Sequence, residues 1–168
     1  IQADGNDVVV TSRNKDVTTD LLDAYNINHT PISKKGESKF SLISEWIGRE
    51  GRMIKVANSF DPDVIVSRLN PPAAHASVVA RCPSIVFDDS EKVRFAAKIT
   101  HPFADVICTP ANFKRELGKK QRRYEGLHEL AYLHSDRFVP KPEQLREHGI
   151  DPDSHYSVLR FVSWGAHH

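Results

Sequence analysis

The densest chemical signal in the chain is Asp88-Asp89-Ser90-Glu91, three carboxylates within four residues directly after an apolar run. Acids crowded this closely shift one another's pKa toward the working range, which suits proton transfer, and the same oxygens could hold a divalent metal. A structural reading stands beside the chemical one. Asp88 or Asp89 would cap a following helix, and Glu91, three residues after Asp88, would complete a capping-box-like pair. The second cluster is Glu125-Gly126-Leu127-His128-Glu129. Glu125, His128 and Glu129 would supply an acid, a base or both, while Gly126 permits close approach of the backbone to a ligand, or simply a tight turn. The alternative there is a short solvated helix whose Leu130 and Leu133 pack inward.

Binding candidates surround these acids. Arg13 follows the first apolar run and is either a rim cation or an ordinary solvated arginine. The stretch from Ser67 to Ala74 brings Asn70 to the start of a helix whose free amides could receive an anion. Near the end, Arg160, Ser163, Trp164, Gly165 and His167 combine an indole, a glycine turn, a cation and an imidazole, a set suited to a nucleotide or sugar phosphate. No HExxH, CxxC, GxSxG, Walker or GxGxxG pattern is present, so the common hydrolase, kinase and dinucleotide fingerprints are missing. No metal set and no cofactor are expected.

Such residues have to be carried by regular elements, and apolar runs alternate with helical periodicities along the chain. Strands are expected over 7–12, 27–32, 63–67, 83–87 and 105–109, with an edge strand at 122–124. Helices are expected over 15–25, 38–60, 71–80, 91–99, 111–117 and 142–148. The 38–60 helix should bury Ile43, Trp46, Ile47, Met53, Ile54 and Ala57, with Gly48 and Gly51 bending or interrupting it. Val64-Ile65-Val66 is continuously apolar, the mark of a parallel strand covered on both faces. Strand and helix alternating at this spacing predict an α/β fold, a doubly wound, Rossmann-like parallel sheet, with ligands bound beyond the carboxyl ends of the strands.

Composition limits the partners. The 168 residues carry 23 Lys and Arg against 22 Asp and Glu, a net charge of +1, so there is no basic field to attract nucleic acid. Mean hydropathy is -0.45, and no apolar run approaches the roughly 18 residues a membrane span needs. Cys82 and Cys108 have the spacing of neither a zinc pair nor a redox dithiol and read as small apolar residues in a reducing compartment, so a cytoplasmic location is expected. A small-molecule partner is implied, and the oligomeric state is left open.

Taken in order, PSIVFDDSE, HPFADVICTP, YEGLHELAYLHSDRFVPKP and YSVLRFVSWGAHH resemble the family known as domain of unknown function 354. The resemblance runs from Gly5-Asn6-Asp7-Val8 onward. It implies a two-lobed GT-B architecture, like that of the peptidoglycan glycosyltransferase that adds N-acetylglucosamine and of the non-hydrolysing UDP-N-acetylglucosamine 2-epimerases. In that pattern residues 1–137 would be an N-terminal lobe lacking its first strand and helix. Residues 138–155 would link the lobes, and residues 156–168 would form the first strand and turn of a second lobe. The resemblance thus implies a chain truncated at both ends and inactive by itself. In the whole protein, Asp88, Asp89, Glu91, Glu125 and Glu129 would be candidate acid/base carboxylates acting on a nucleotide-activated sugar, by glycosyl transfer or epimerisation. Two other classes remain: a non-catalytic α/β binding or assembly module, and a metal-assisted hydrolase built on the 88–91 cluster.

Overall fold

The structure, a computed structural model, describes residues 2–14, 17–34, 39–128, 130–136 and 138–159. The chain divides into two compact units, Ile1–Tyr124 and Glu125–His168. The first unit is α/β. Its strands are β1 (Val10–Asn14), β2 (His29–Lys34), β3 (Ile65–Arg68), β4 (Ser84–Phe87), β5 (Val106–Pro110) and β6 (Gln121–Tyr124). Its helices are α1 (Thr18–Ala24), α2 (Lys39–Phe60), α3 (Pro71–Ala80) and α4 (Arg94–Thr100). Every described strand pair is parallel. The strands form two sheets, β1-β2 and β3-β4-β5-β6.

Parallel neighbours need long connections, and helices supply most of them. α3 begins on Pro71-Pro72, which have no N–H to lose at a helix start. It ends where Arg81 turns left-handed at φ 57°, with the Cys82 N–H donating to the Ser77 carbonyl. α2 packs against α3 through small side chains, and Ala57, Ala73 and Ala76 share one buried cluster with Ile32, Met53 and Ile65. A second, smaller cluster sits under the larger sheet, where Val86, Ala104 and Ile107 are covered by Leu69 and Leu117.

Several local expectations are corrected. α2 runs unbroken through Gly48 and Gly51, because tertiary burial of Met53 and Ala57 outweighs the propensity cost of two glycines. Its stripe is narrower than expected, since Ile47 is largely exposed; the Ile43 side chain lies outside the described residues. β3 is covered on one face only, with Ile65 buried and Val66 exposed. The helix expected over 111–117 is not formed. Arg123 donates to the carbonyls of Ala111, Phe113 and Arg115, capturing the acceptors that a helix would need. In its place are turns and a single 3-10 turn at Gly118–Lys120.

The second unit carries two short helices, α5 (Leu130–Leu133) and α6 (Pro142–Glu147). α6 is closed by Gly149, whose φ of 74° lets its N–H reach the Arg146 carbonyl. Leu130 and Leu133, expected to face inward, are exposed. Of the strand expected from Tyr156, residues 156–159 carry no strand pairing, and 160–162 lie outside the described residues. No helix among the described residues is long and apolar enough to cross a membrane.

Candidate active site

The carboxyl-end crevice of an open parallel sheet is where ligands bind, and here a cavity of about 460 Å3 opens beside β1 and just beyond β3. Ser12 and Arg13 come to it from β1, Asn70 from the loop after β3, Trp46 and Arg49 from α2, and Phe95 from α4. Arg13 therefore sits within its strand rather than after it, and with Asn70 it is one of two sequence candidates that the fold brings to a single cavity.

Two guanidiniums of this lining share the Glu45 carboxylate. Arg13 Nη2 donates to Glu45 Oε2 at 2.8 Å, and Arg49 Nη1 lies 3.8 Å from Glu45 Oε1. The Nε atoms of both arginines are buried and have no hydrogen-bond partner among the described residues. Burial pulls Arg49 below the usual arginine range; Glu45 opposes this, Arg13 adds to it, and Glu50 opposes it. Both arginine side chains are partly exposed, at 28% for Arg13 and 18% for Arg49, and Glu45 Oε1 is a buried acceptor with no hydrogen-bond partner among the described residues.

The aromatic side is fixed in place. Trp46 and Phe95 meet edge to face at a centroid distance of 6.5 Å. The Trp46 indole N–H donates to Glu50 Oε1 at 3.0 Å, and the same oxygen is 3.0 Å from His75 Nδ1. His75 Nε2 lies 2.9 Å from the Ile99 carbonyl. This chain ties α2, α3 and α4 together around the indole. On β1, Ser12 Oγ is 2.7 Å from His29 Nδ1, and His29 Nε2 is 3.2 Å from Asp23 Oδ1. With the hydroxyl donating to Nδ1 and Nε2–H donating to Asp23, all three groups are satisfied.

The loop after β3 differs from expectation. Asn70 precedes α3 without a side-chain cap, Pro71 and Pro72 have no amide proton, and the Ala73 and Ala74 amides donate to the Asn70 carbonyl. The helix start therefore offers no free amide from its first four residues, and the anion site expected there is absent. Asn70 reaches the cavity as a lining residue instead.

The acidic cluster does not converge. The Asp88 carboxylate is fully buried, accepting from the Ser90 amide at 3.0 Å and lying 3.0 Å from His101 Nε2. Asp89 pairs with Arg68 at 2.5 Å and accepts from the Ser90 hydroxyl. Partial burial pushes the Asp89 carboxyl up, but the Arg68 hydrogen bond and charge, helped by Ser90, hold it below the usual carboxylate range. Glu91 accepts from the Lys114 amide. None of the three caps a helix: α4 starts at Arg94 with Val93 before it and no side-chain cap. The capping-box expectation is thus corrected, the acids being taken by a turn and by side chains from other elements. Among the described residues no three His, Cys, Asp or Glu side chains come together as a metal set.

The second cluster lies in the second unit. Glu125 is exposed, Gly126 has a left-handed φ of 120°, and His128 is half-buried. Glu129, Arg160, Ser163, Trp164, Gly165 and His167 lie outside the described residues.

Residues 1–159 match the family model described as Protein of unknown function (DUF354). The chain belongs to that family. No curated protein and no solved structure matches it. In this DUF354 chain, the lining residue Arg49 and the partners of the lining, Glu45 and His29, carry no expectation from sequence. The sequence marks Trp46 as core alone, yet Glu45/Arg49 and Trp46/Glu50 are each four apart on one helix, a spacing that pairs an acid with a cation and an indole with an acceptor. His101, the partner of Asp88, gave no local signal, because thirteen residues separate the two.

Proposed function

We propose that this chain takes part in handling a nucleotide-activated sugar, by glycosyl transfer or epimerisation, and that the cavity beside β1 and β3 receives the substrate. The observation that carries the reading is the pair of arginines sharing Glu45 next to the Trp46–Phe95 pair. Guanidinium forks match phosphate oxygens, and an aromatic ring offers a face to the apolar side of a sugar. The volume, about 460 Å3, falls within the range of small-molecule pockets. Ser12, held by His29 in the same wall, is the hydroxyl best placed to pass a proton there.

The resemblance to GT-B proteins supports the same substrate class, with residues 1–137 as a first lobe, 138–155 as a connection and 156–168 as the start of a second lobe. Each acid of the 88–91 cluster has its own protein partner, which favours a structural role for those side chains over metal-assisted hydrolysis. A cytoplasmic setting fits Cys82 and Cys108, free thiols that burial pushes up and keeps protonated.

Calorimetric titration of the chain with UDP-N-acetylglucosamine and other UDP-sugars tests the proposal. Saturable binding is expected, weakened about tenfold or more in Arg49→Gln and in Trp46→Leu. Absence of saturable binding with every UDP-sugar, or binding indifferent to both substitutions, overturns it.

A further inference from the structure

A second cavity, of about 720 Å3, shares no lining residue with the first. α4 separates them: Phe95 and Ile99 face the cavity beside β1, while Arg94 and Lys98 face the other. Residues four apart share a helix face, so one short helix serves two concavities with different residue sets. The second is completed by His101, by Arg115 and Leu117 from the loop after β5, and by Lys120. It opens beside the 111–120 connection, which is turns instead of a covering helix.

Its charge is one-sided. Arg94, Lys98, Arg115 and Lys120 all line it, and no carboxylate does. Elsewhere in the first unit Arg13 and Arg49 pair with Glu45, Arg68 with Asp89 and Arg123 with Glu116. The acids nearest in sequence are all engaged: Glu116 with Arg123, Glu91 with the Lys114 amide, and Asp88 with His101 and Ser90. Among the described residues, Lys120 Nζ has only the Pro102 carbonyl, and Arg115 Nη1 is buried with no hydrogen-bond partner. Among those residues, Arg94 and Lys98 have no ion-pair partner. Four like charges around one concavity repel each other, and a buried guanidinium nitrogen without an acceptor is costly; a bound dianion removes both penalties.

We infer that this cavity is a binding site for a phosphate monoester of a small molecule. The guanidinium and ammonium groups would hold the phosphoryl oxygens. The volume exceeds what inorganic phosphate needs, and Ile107 and Leu117 give an apolar floor for the body of the ligand. The site is independent of the sugar-nucleotide cavity.

The test is calorimetric titration of the chain with glucose 6-phosphate at constant ionic strength, with glucose as the uncharged control. The variants are Arg94→Gln/Lys98→Gln, two exposed positions, and Arg49→Gln from the other cavity. Expected are saturable binding of the phosphate ester only, a dissociation constant at least about tenfold weaker in the double variant, and wild-type affinity in Arg49→Gln. The inference is overturned if the ester does not bind saturably, if glucose binds equally well, if the double variant binds like wild type, or if Arg49→Gln alone abolishes binding. A short single-stranded RNA binding more tightly than the ester would also overturn it, by assigning the patch to a polyanion.

Discussion

At the scale of single residues, burial decides what each acid of the 88–91 cluster can do. Asp88 is fully buried, so its oxygens need hydrogen-bond partners, and His101 and the Ser90 amide supply them. Asp89 is more accessible and owes its low pKa to Arg68, which is itself mostly exposed. Because the folded value lies below the unfolded one of about 3.9, the contribution of Asp89 to stability is present above that pH. It is lost as pH falls through the folded value. In Arg68→Gln the Asp89 carboxyl should therefore titrate higher, and stability should fall less steeply as pH drops through the acidic range where the parent's carboxyl takes up its proton. Carbon-13 NMR titration of the carboxyl and urea unfolding across that range measure the two effects. An unchanged Asp89 titration would show that Arg68 does not hold it. The three carboxylates were legible as a cluster, but their separate partners were not, since His101, Arg68 and the Lys114 amide come from elsewhere in the chain.

At the scale of elements, helix and strand identities follow from periodicity, and their boundaries follow from contacts. Pro71-Pro72 and the apolar run to Ala80 define α3 from sequence alone, whereas the 111–117 helix fails because a side chain on β6 takes its carbonyls. The α2–α3 interface is the strictest packing constraint, since Ala57, Ala73 and Ala76 let the helices approach closely and Ala76 is fully buried. Ala76→Leu should destabilise the chain by about 1–3 kcal/mol through overpacking. Val79→Leu, at an exposed position on the same helix, should stay within about 0.5 kcal/mol. Urea unfolding of the two variants distinguishes them. Equal stabilities would mean that the helices are not in close contact at Ala76.

At the scale of the whole molecule, the two units differ in kind. The first has two buried clusters beneath parallel strands, whereas no described residue of the second is buried. A segment without a core opens at low free-energy cost and is cut first by a protease. Brief tryptic digestion should cleave at Lys141 and Arg146 before the sites from Arg68 to Arg123, as read by mass spectrometry of the earliest fragments. Simultaneous cleavage in both regions would contradict this. By itself the sequence determined the alternation of strand and helix, the parallel α/β class and the placing of Arg13 and Asn70 near strand ends, because these depend on local periodicity and on the rule that ligands gather where parallel strands finish. Only the tertiary structure decided that Arg13 and Arg49 line one cavity with Trp46 and share Glu45, that Asp88 is spent on His101, and that α4 parts two cavities. Each of these joins residues distant in sequence, and burial and charge pairing act between whatever the fold brings together.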